Sequence, residues 1–168
     1  MVFWLLGISG AGKSTLGKKL KTHFEENGIS FYLIDGDEIR DFFENDLSYS
    51  EEDRVANIKR IIYAAYVLNR SGINVIVCNI SPFERLRVFV RRKIENYYQI
   101  YVKKDLVKST KDDVKNIYQN NLGITELVGI NIKFEEPKNN DLIIDVDHQT
   151  VEESFNLLLK FISEKLAG

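Results

Sequence analysis

Gly7-Ile8-Ser9-Gly10-Ala11-Gly12-Lys13-Ser14-Thr15 follows a short apolar run, Val2-Phe3-Trp4-Leu5-Leu6, and precedes a stretch with helical spacing, Leu16 to Phe24. The nine residues match G-x-x-x-x-G-K-[ST] at every fixed position. A strand, a turn and a helix are the setting in which that pattern builds a phosphate-binding loop. Its glycines admit backbone angles closed to other residues, so successive N–H groups can turn inward at the positive end of a helix and cradle an anion. Lys13 adds a point charge for the β- and γ-phosphates, and the Ser14 hydroxyl is a ligand for magnesium. Working outward, the sequence predicts an α/β chain with a parallel sheet, since strand, helix and strand in this spacing imply a right-handed crossover.

The chain has 168 residues, the size of a single domain, taken as 1–168. Hydrophobic residues make up 44% and charged residues 29%, which is the balance of a globular protein and not a disordered one. With 23 basic against 25 acidic residues, no basic field favours long nucleic acid. The single Cys78, within Val75-Ile76-Val77-Cys78-Asn79-Ile80, reads as a packed strand residue in a reducing compartment. No apolar run approaches ~18 residues and no basic region precedes the first apolar run, so a cytoplasmic protein without a membrane span is expected.

Along the chain, Lys13 to about Asn27 reads as a helix stopped by Gly28, and Phe31 to Asp35 as a second strand. Asp35-Gly36-Asp37 ends that strand, at the edge of a parallel sheet where ligands collect. Ser50-Glu51-Glu52-Asp53 starts a helix whose apolar face carries Val55, Ile58, Ile62 and Ala65, with Arg54, Asn57 and Arg60 expected largely on other faces. Ser71-Gly72 ends it. Ile73 to Ile80 reads as a central third strand, and Ser81-Pro82-Phe83 as a sharp turn into a helix through Leu86, Phe89 and Val90. That helix bears the basic cluster Arg85, Arg87, Arg91, Arg92 and Lys93, one or two of which could reach an anionic ligand. Tyr98 to Val102 reads as a fourth strand. A polar stretch within 103–136 is expected to be a mobile lid over the phosphates. Leu142 to Asp145 reads as a fifth strand, and the last helix buries Val151, Phe155, Leu158, Leu159, Ile162 and Leu166. The expected architecture is therefore a three-layer phosphate-loop fold, a five-stranded parallel sheet flanked by helices, with a lid.

Taken together, these motifs resemble the adenylylsulfate kinase family. The resemblance rests on Gly7 to Thr15, on D-G-D-E-I-R at Asp35 to Arg40, on D-L-S-Y-S-E-E-D-R-V-A-N-I-K-R at Asp46 to Arg60, and on I-S-P-F at Ile80 to Phe83 with Arg87 and Arg91 beyond. It covers the first 90 or so residues densely and thins afterwards. Of the family's lid motif R-D-P-K-G-L-Y, Asp112 to Tyr118 keeps Asp113, Lys115 and Tyr118, and its T-G-I-D-x-P-Y-E-x-P survives in Val128 to Pro137 as the glycine, isoleucine, glutamate and proline.

The resemblance implies transfer of the γ-phosphate of ATP, with Mg2+, to a nucleotide's ribose 3′-hydroxyl by a homodimer. It assigns Gly7, Ser9, Gly10, Ala11, Gly12, Lys13, Ser14 and Thr15 to the ATP phosphates. Ser14 and Asp35 attend the metal, Asp35 through water. Lys13 and Asp37 are the catalytic candidates, Asp37 taking the acceptor's proton, as a carboxylate can when the transition state is loose. Asp35, Arg40, Tyr49, Arg54, Asn57, Ile80, Ser81, Phe83 and Lys115 would meet the acceptor. In that set the arginines grip its phosphate-like end and Tyr49 and Phe83 sandwich its base.

On length and lid composition, a divergent branch, cytidine diphosphoramidate kinase of capsule phosphoramidate biosynthesis, is the favoured likeness, with adenylylsulfate as the alternative acceptor. Two further readings stand beside these: a kinase of a small non-nucleotide alcohol, and a nucleotide-binding sensor that does not turn over.

Overall fold

The structure, a computed structural model, describes residues 1–105 and 132–168. The elements run β1 (Val2–Leu6), α1 (Lys13–Glu26), β2 (Phe31–Asp35), α2 (Gly36–Phe42), α3 (Glu51–Arg70), β3 (Asn74–Cys78), α4 (Glu84–Lys93), β4 (Tyr97–Lys103), β5 (Leu142–Asp145) and α5 (Val151–Ala167). The strands form one sheet in the order β2-β3-β1-β4-β5, and every pairing is parallel. The expected lid and Lys115 within it fall largely or wholly on 106–131, outside the described residues.

Alternation along β1 explains the three layers. Val2, Trp4 and Leu6 point to one face, where they pack with Ile58, Ile61, Ile62 and Ala65 of α3 and Leu86 and Val90 of α4. Phe3 and Leu5 point to the other, against Leu16, Leu20 and Phe24 of α1 and Phe155, Leu158 and Ile162 of α5. A strand buried on both faces must be apolar throughout, and β1 is. Because the strands are parallel, the segments after β1, β2 and β3 all emerge on one edge. The phosphate loop, the Asp35-Gly36-Asp37 stretch and the Ile80-to-Phe83 turn are thereby gathered there.

Several expectations shift on contact with the fold. The third strand stops at Cys78 instead of Ile80, because the Asn79 side chain turns back to accept from the N–H and hydroxyl of Ser81 at 2.9 and 3.0 Å. β4 is longer than expected, starting at Tyr97, where it pairs with Val2. Phe89 and Val151 are exposed, lying off the stripes that bury Leu86 with Val90 and Phe155 with Leu158 and Ile162. Thr150 and Glu153 cap α5 reciprocally, which fixes where that helix begins.

The largest correction concerns α3. Arg54 and Asn57 are buried on the same stripe as Ile58, Ile61, Ile62 and Ala65, not on other faces. Spacings of three and four connect all six residues, so the stripe is continuous but changes character at its N-terminal turns. At those turns Arg54 is turned to the Tyr49 carbonyl, while the apolar residues further along serve the core. Arg60 does lie towards solvent. Its partner is Asp46, gripped by both guanidinium nitrogens at 2.7 Å, and not a helical neighbour.

Candidate active site

The phosphate loop has the backbone its sequence demands. Gly10 and Gly12 adopt φ values of 74° and 89°, and a Cβ at either would meet open space, so glycine is required there for the backbone angle and not for room. Gly12 caps α1 with no side-chain hydrogen bond, and no acid stands in the first turn. The positive end of α1 is thus left for an anion. The Lys13 ammonium lies back over the loop and donates to the Ile8 carbonyl at 2.7 Å, which places the charge beside the cradle. Ser9 and the buried Ala11 lie in the same loop, and Thr15 is exposed in the first turn of α1.

The loop is joined to the neighbouring strand ends by named contacts. The Ser14 hydroxyl donates to Asp35 Oδ2 at 2.6 Å, and Asp35 Oδ1 accepts from the Asp37 N–H at 3.0 Å, capping α2. Gly7 N–H donates to the Ile80 carbonyl at 3.4 Å. Gly36 is pressed against the end of β3, since a Cβ there would lie 2.4 Å from Asn79 Nδ2. The glycine of D-G-D is therefore demanded by close approach. The Asp37 side chain is exposed on the same edge.

The residues assigned to the acceptor divide into two kinds. Arg40 and Arg54 are buried, and both brace the 47–49 loop: Arg40 donates to the carbonyls of Leu47 and Ser48 at 3.1 Å, and Arg54 Nε to that of Tyr49 at 2.7 Å. Their guanidinium carbons lie 4.5 and 5.1 Å from the centre of the Tyr49 ring, which is 38% exposed. Tyr49 is thus an accessible aromatic surface backed by two cations. Asn57, only 3% exposed, has a side-chain oxygen without a hydrogen-bond partner. A buried acceptor left so is expensive, and a ligand donor would satisfy it.

The other kind faces inward. The Ser81 hydroxyl accepts from the Trp4 indole at 2.8 Å and donates to Asn79, so it holds the turn and offers no side-chain group outward. Phe83 is 4% exposed and packs in the cluster beneath α3 and α4, with most of its ring committed to the core. Arg87 and Arg91, two members of the basic cluster from which one or two arginines could reach an anionic ligand, are likewise spent on protein. Arg87 serves the carbonyls of Ser81 and Glu135, and Arg91 the Asn139 carbonyl and the Asp141 carboxylate. Acids and carbonyls of the 135–141 segment sit over α4 and take up these cations first.

Asn79 is the residue that reading the sequence missed. It links three strand ends by accepting from Ser81, packing on Gly36 and donating its N–H to the Leu5 carbonyl at 3.1 Å. A lone polar residue closing the apolar run Val75 to Cys78 was its only signal.

The Ser14 and Asp35 oxygens suit magnesium, a hard ion that keeps several waters and needs few protein ligands. Among the described residues no group of three or more His, Cys, Asp or Glu forms a metal cage, so these oxygens would hold the ion together with nucleotide phosphate.

A phosphate loop tied to a strand-end carboxylate, on a parallel sheet of this order, defines a phosphate-loop nucleotide-binding fold, and its relatives make it a phosphotransferase with an alcohol acceptor. More narrowly, the chain belongs to the adenylylsulphate kinase family, whose model matches residues 1–145. A probable adenylyl-sulfate kinase of Halalkalibacterium halodurans is 35% identical over 99% of this chain and 82% of its own length. An adenylyl-sulfate kinase of Phocaeicola vulgatus is 37% identical over 96% and 81%. The Mycobacterium tuberculosis APS kinase CysC, solved in complex with AMPPNP and APS, superposes with a TM-score of 0.88 at 28% identity, covering 96% of each chain.

Proposed function

We propose that this chain uses ATP and Mg2+ to phosphorylate the ribose 3′-hydroxyl of adenylylsulfate. The observation that carries the reading is the joining of two half-sites on one edge. Asp35 touches the loop serine on one side and the Asp37 backbone on the other, so donor and acceptor residues share one carboxylate. The relatives' names support adenylylsulfate, which moves ahead of the cytidine diphosphoramidate favoured by the sequence. They also favour an enzyme over a sensor and a nucleotide over a small alcohol.

In this reading the N–H groups of the loop hold the donor phosphates, and Lys13 neutralises charge as it develops. A magnesium ion held with the help of Ser14 and Asp35 would supply further charge neutralisation at the phosphates. Asp37 accepts the proton of the 3′-hydroxyl as that oxygen bonds to phosphorus and ADP leaves. Arg40, Arg54 and Asn57 line the acceptor side, and the exposed ring of Tyr49 provides the stacking surface, while Phe83 supports the turn from the core.

A second reading, cytidine diphosphoramidate as acceptor, is favoured by one observation: the motif at Asp112 to Tyr118 departs from the family pattern in four of seven positions. A stacking surface accepts either base. ADP release measured with adenylylsulfate and with cytidine diphosphoramidate, offered separately, decides between them. Faster turnover of adenylylsulfate is expected, the reverse preference supports the second reading, and inactivity with both overturns the nucleotide-kinase reading. We further propose a cytoplasmic homodimer, which sedimentation at micromolar concentration would test. Among the described residues no helix is long and apolar enough to cross a membrane.

A further inference from the structure

Arg87 is a charged side chain only 2% exposed, and the chemistry above gives it no part. From the first turn of α4 its guanidinium reaches three acceptors. One terminal nitrogen donates to the Ser81 carbonyl at 2.6 Å, the other to the Glu135 carbonyl at 2.6 Å, and Nε to the Glu84 carboxylate at 2.8 Å. Its guanidinium carbon also lies 6.0 Å from the centre of the Phe134 ring. The two segments it joins are tied again nearby: Glu135 N–H donates to the Pro82 carbonyl at 3.0 Å, and the Glu135 carboxylate accepts from the Glu84 N–H.

One of those segments is strained. Ser81 has φ 48°, in the left-handed region, although it is not glycine. It persists because its surroundings over-determine it: Trp4 and Asn79 hold the hydroxyl, Asn79 the N–H, and Arg87 the carbonyl.

We propose that Arg87 is a positioning residue for the acceptor. It fixes the Ile80-to-Phe83 turn against Phe134 and Glu135, and so sets where that turn stands beside the phosphate loop, whose Gly7 N–H donates to the Ile80 carbonyl. The role rests on the acceptor reading given above. Arginine suits it because a planar fork can serve two carbonyls and a carboxylate together, whereas lysine presents one compact charge.

The test compares wild type with Arg87→Lys, Arg87→Ala and Glu84→Gln, reading acceptor kinetics, AMPPNP binding by calorimetry and the thermal midpoint. For Arg87→Lys, AMPPNP affinity stays at the wild-type level while kcat/KM for the acceptor falls on the order of 10- to 100-fold, chiefly through KM. Ethylguanidinium added to Arg87→Ala restores part of the loss. Glu84→Gln lowers the thermal midpoint but keeps acceptor KM within about twofold, because both carbonyl contacts remain. Wild-type acceptor KM in Arg87→Lys would overturn the role, as would equal loss of AMPPNP and acceptor binding. If Arg87→Ala does not fold, Arg87→Lys decides alone. A wild type inactive with both acceptors sinks the acceptor reading and this role with it, before any variant is compared.

Discussion

The Ser14 hydroxyl donates to the Asp35 carboxylate across 2.6 Å, and this contact links the phosphate loop to the second strand end. Asp35 also caps α2 through the Asp37 N–H. Asp35→Ala is therefore expected to cost about 1 kcal/mol of stability from the lost cap. Its larger effect is expected on turnover, because the Ser14 hydroxyl loses its partner and a magnesium ion would lose the carboxylate proposed to attend it. Ser14→Ala separates the two: it should leave the unfolding midpoint in denaturant near that of wild type while raising the magnesium concentration needed for half-maximal ADP release.

Asp37→Asn removes the proposed proton acceptor and keeps the shape. Turnover should fall roughly 10²- to 10⁴-fold, the range of general-base contributions. AMPPNP binding, followed by calorimetry, should be unchanged, because the exposed Asp37 side chain is proposed to act on the acceptor and not on the donor phosphates. Full activity in this variant would remove Asp37 from the mechanism.

Much of this arrangement could be read from the chain before any coordinates. The bounds of β1, β2 and β5 followed from apolar runs that end in glycine or aspartate, where burial and turn chemistry agree. The phosphate loop, the Asp35-to-Asp37 stretch and the Ile80-to-Phe83 turn are each continuous in sequence and follow β1, β2 and β3, so their placement on one edge followed from parallel topology alone. The inward turn of Arg87 was not legible. Its partners, Ser81 and Glu135, are 6 and 48 residues away, and a basic cluster looks the same whether it faces solvent, ligand or buried carbonyls. The burial of Arg54 and Asn57 escaped for a related reason: a periodicity search that counts only apolar residues stops where the stripe turns polar.

Gly36→Ala tests the close approach of β2 and β3. The added Cβ would sit 2.4 Å from Asn79 Nδ2, and Asn79 cannot yield without releasing Ser81. Overpacking of this kind costs about 1–3 kcal/mol. The expected outcome is a lowered midpoint in urea together with weakened acceptor kinetics. A variant as stable and active as wild type would show that Asn79 can move freely.

Cys78 packs against α1, with its thiol donating to the Lys13 carbonyl at 3.2 Å. Burial, helped by the Asp35 carboxylate, pushes the thiol from its ordinary 9.0 up to about 12. Burial also raises the Tyr97 phenol above its usual range. Both groups keep their protons in the folded chain to higher pH than in the unfolded one. Between about pH 9 and 12 the unfolded chain therefore binds fewer protons, and stability falls as pH rises. Below about pH 9 both states hold the thiol proton, and the full stability from this source is present. Urea midpoints measured across that alkaline window should decline steadily, and less so for Cys78→Ala compared with its own value at neutral pH. The same burial makes the native thiol unreactive. A disulfide reagent near pH 8 should label almost no thiol in the folded protein and one per chain in denaturant.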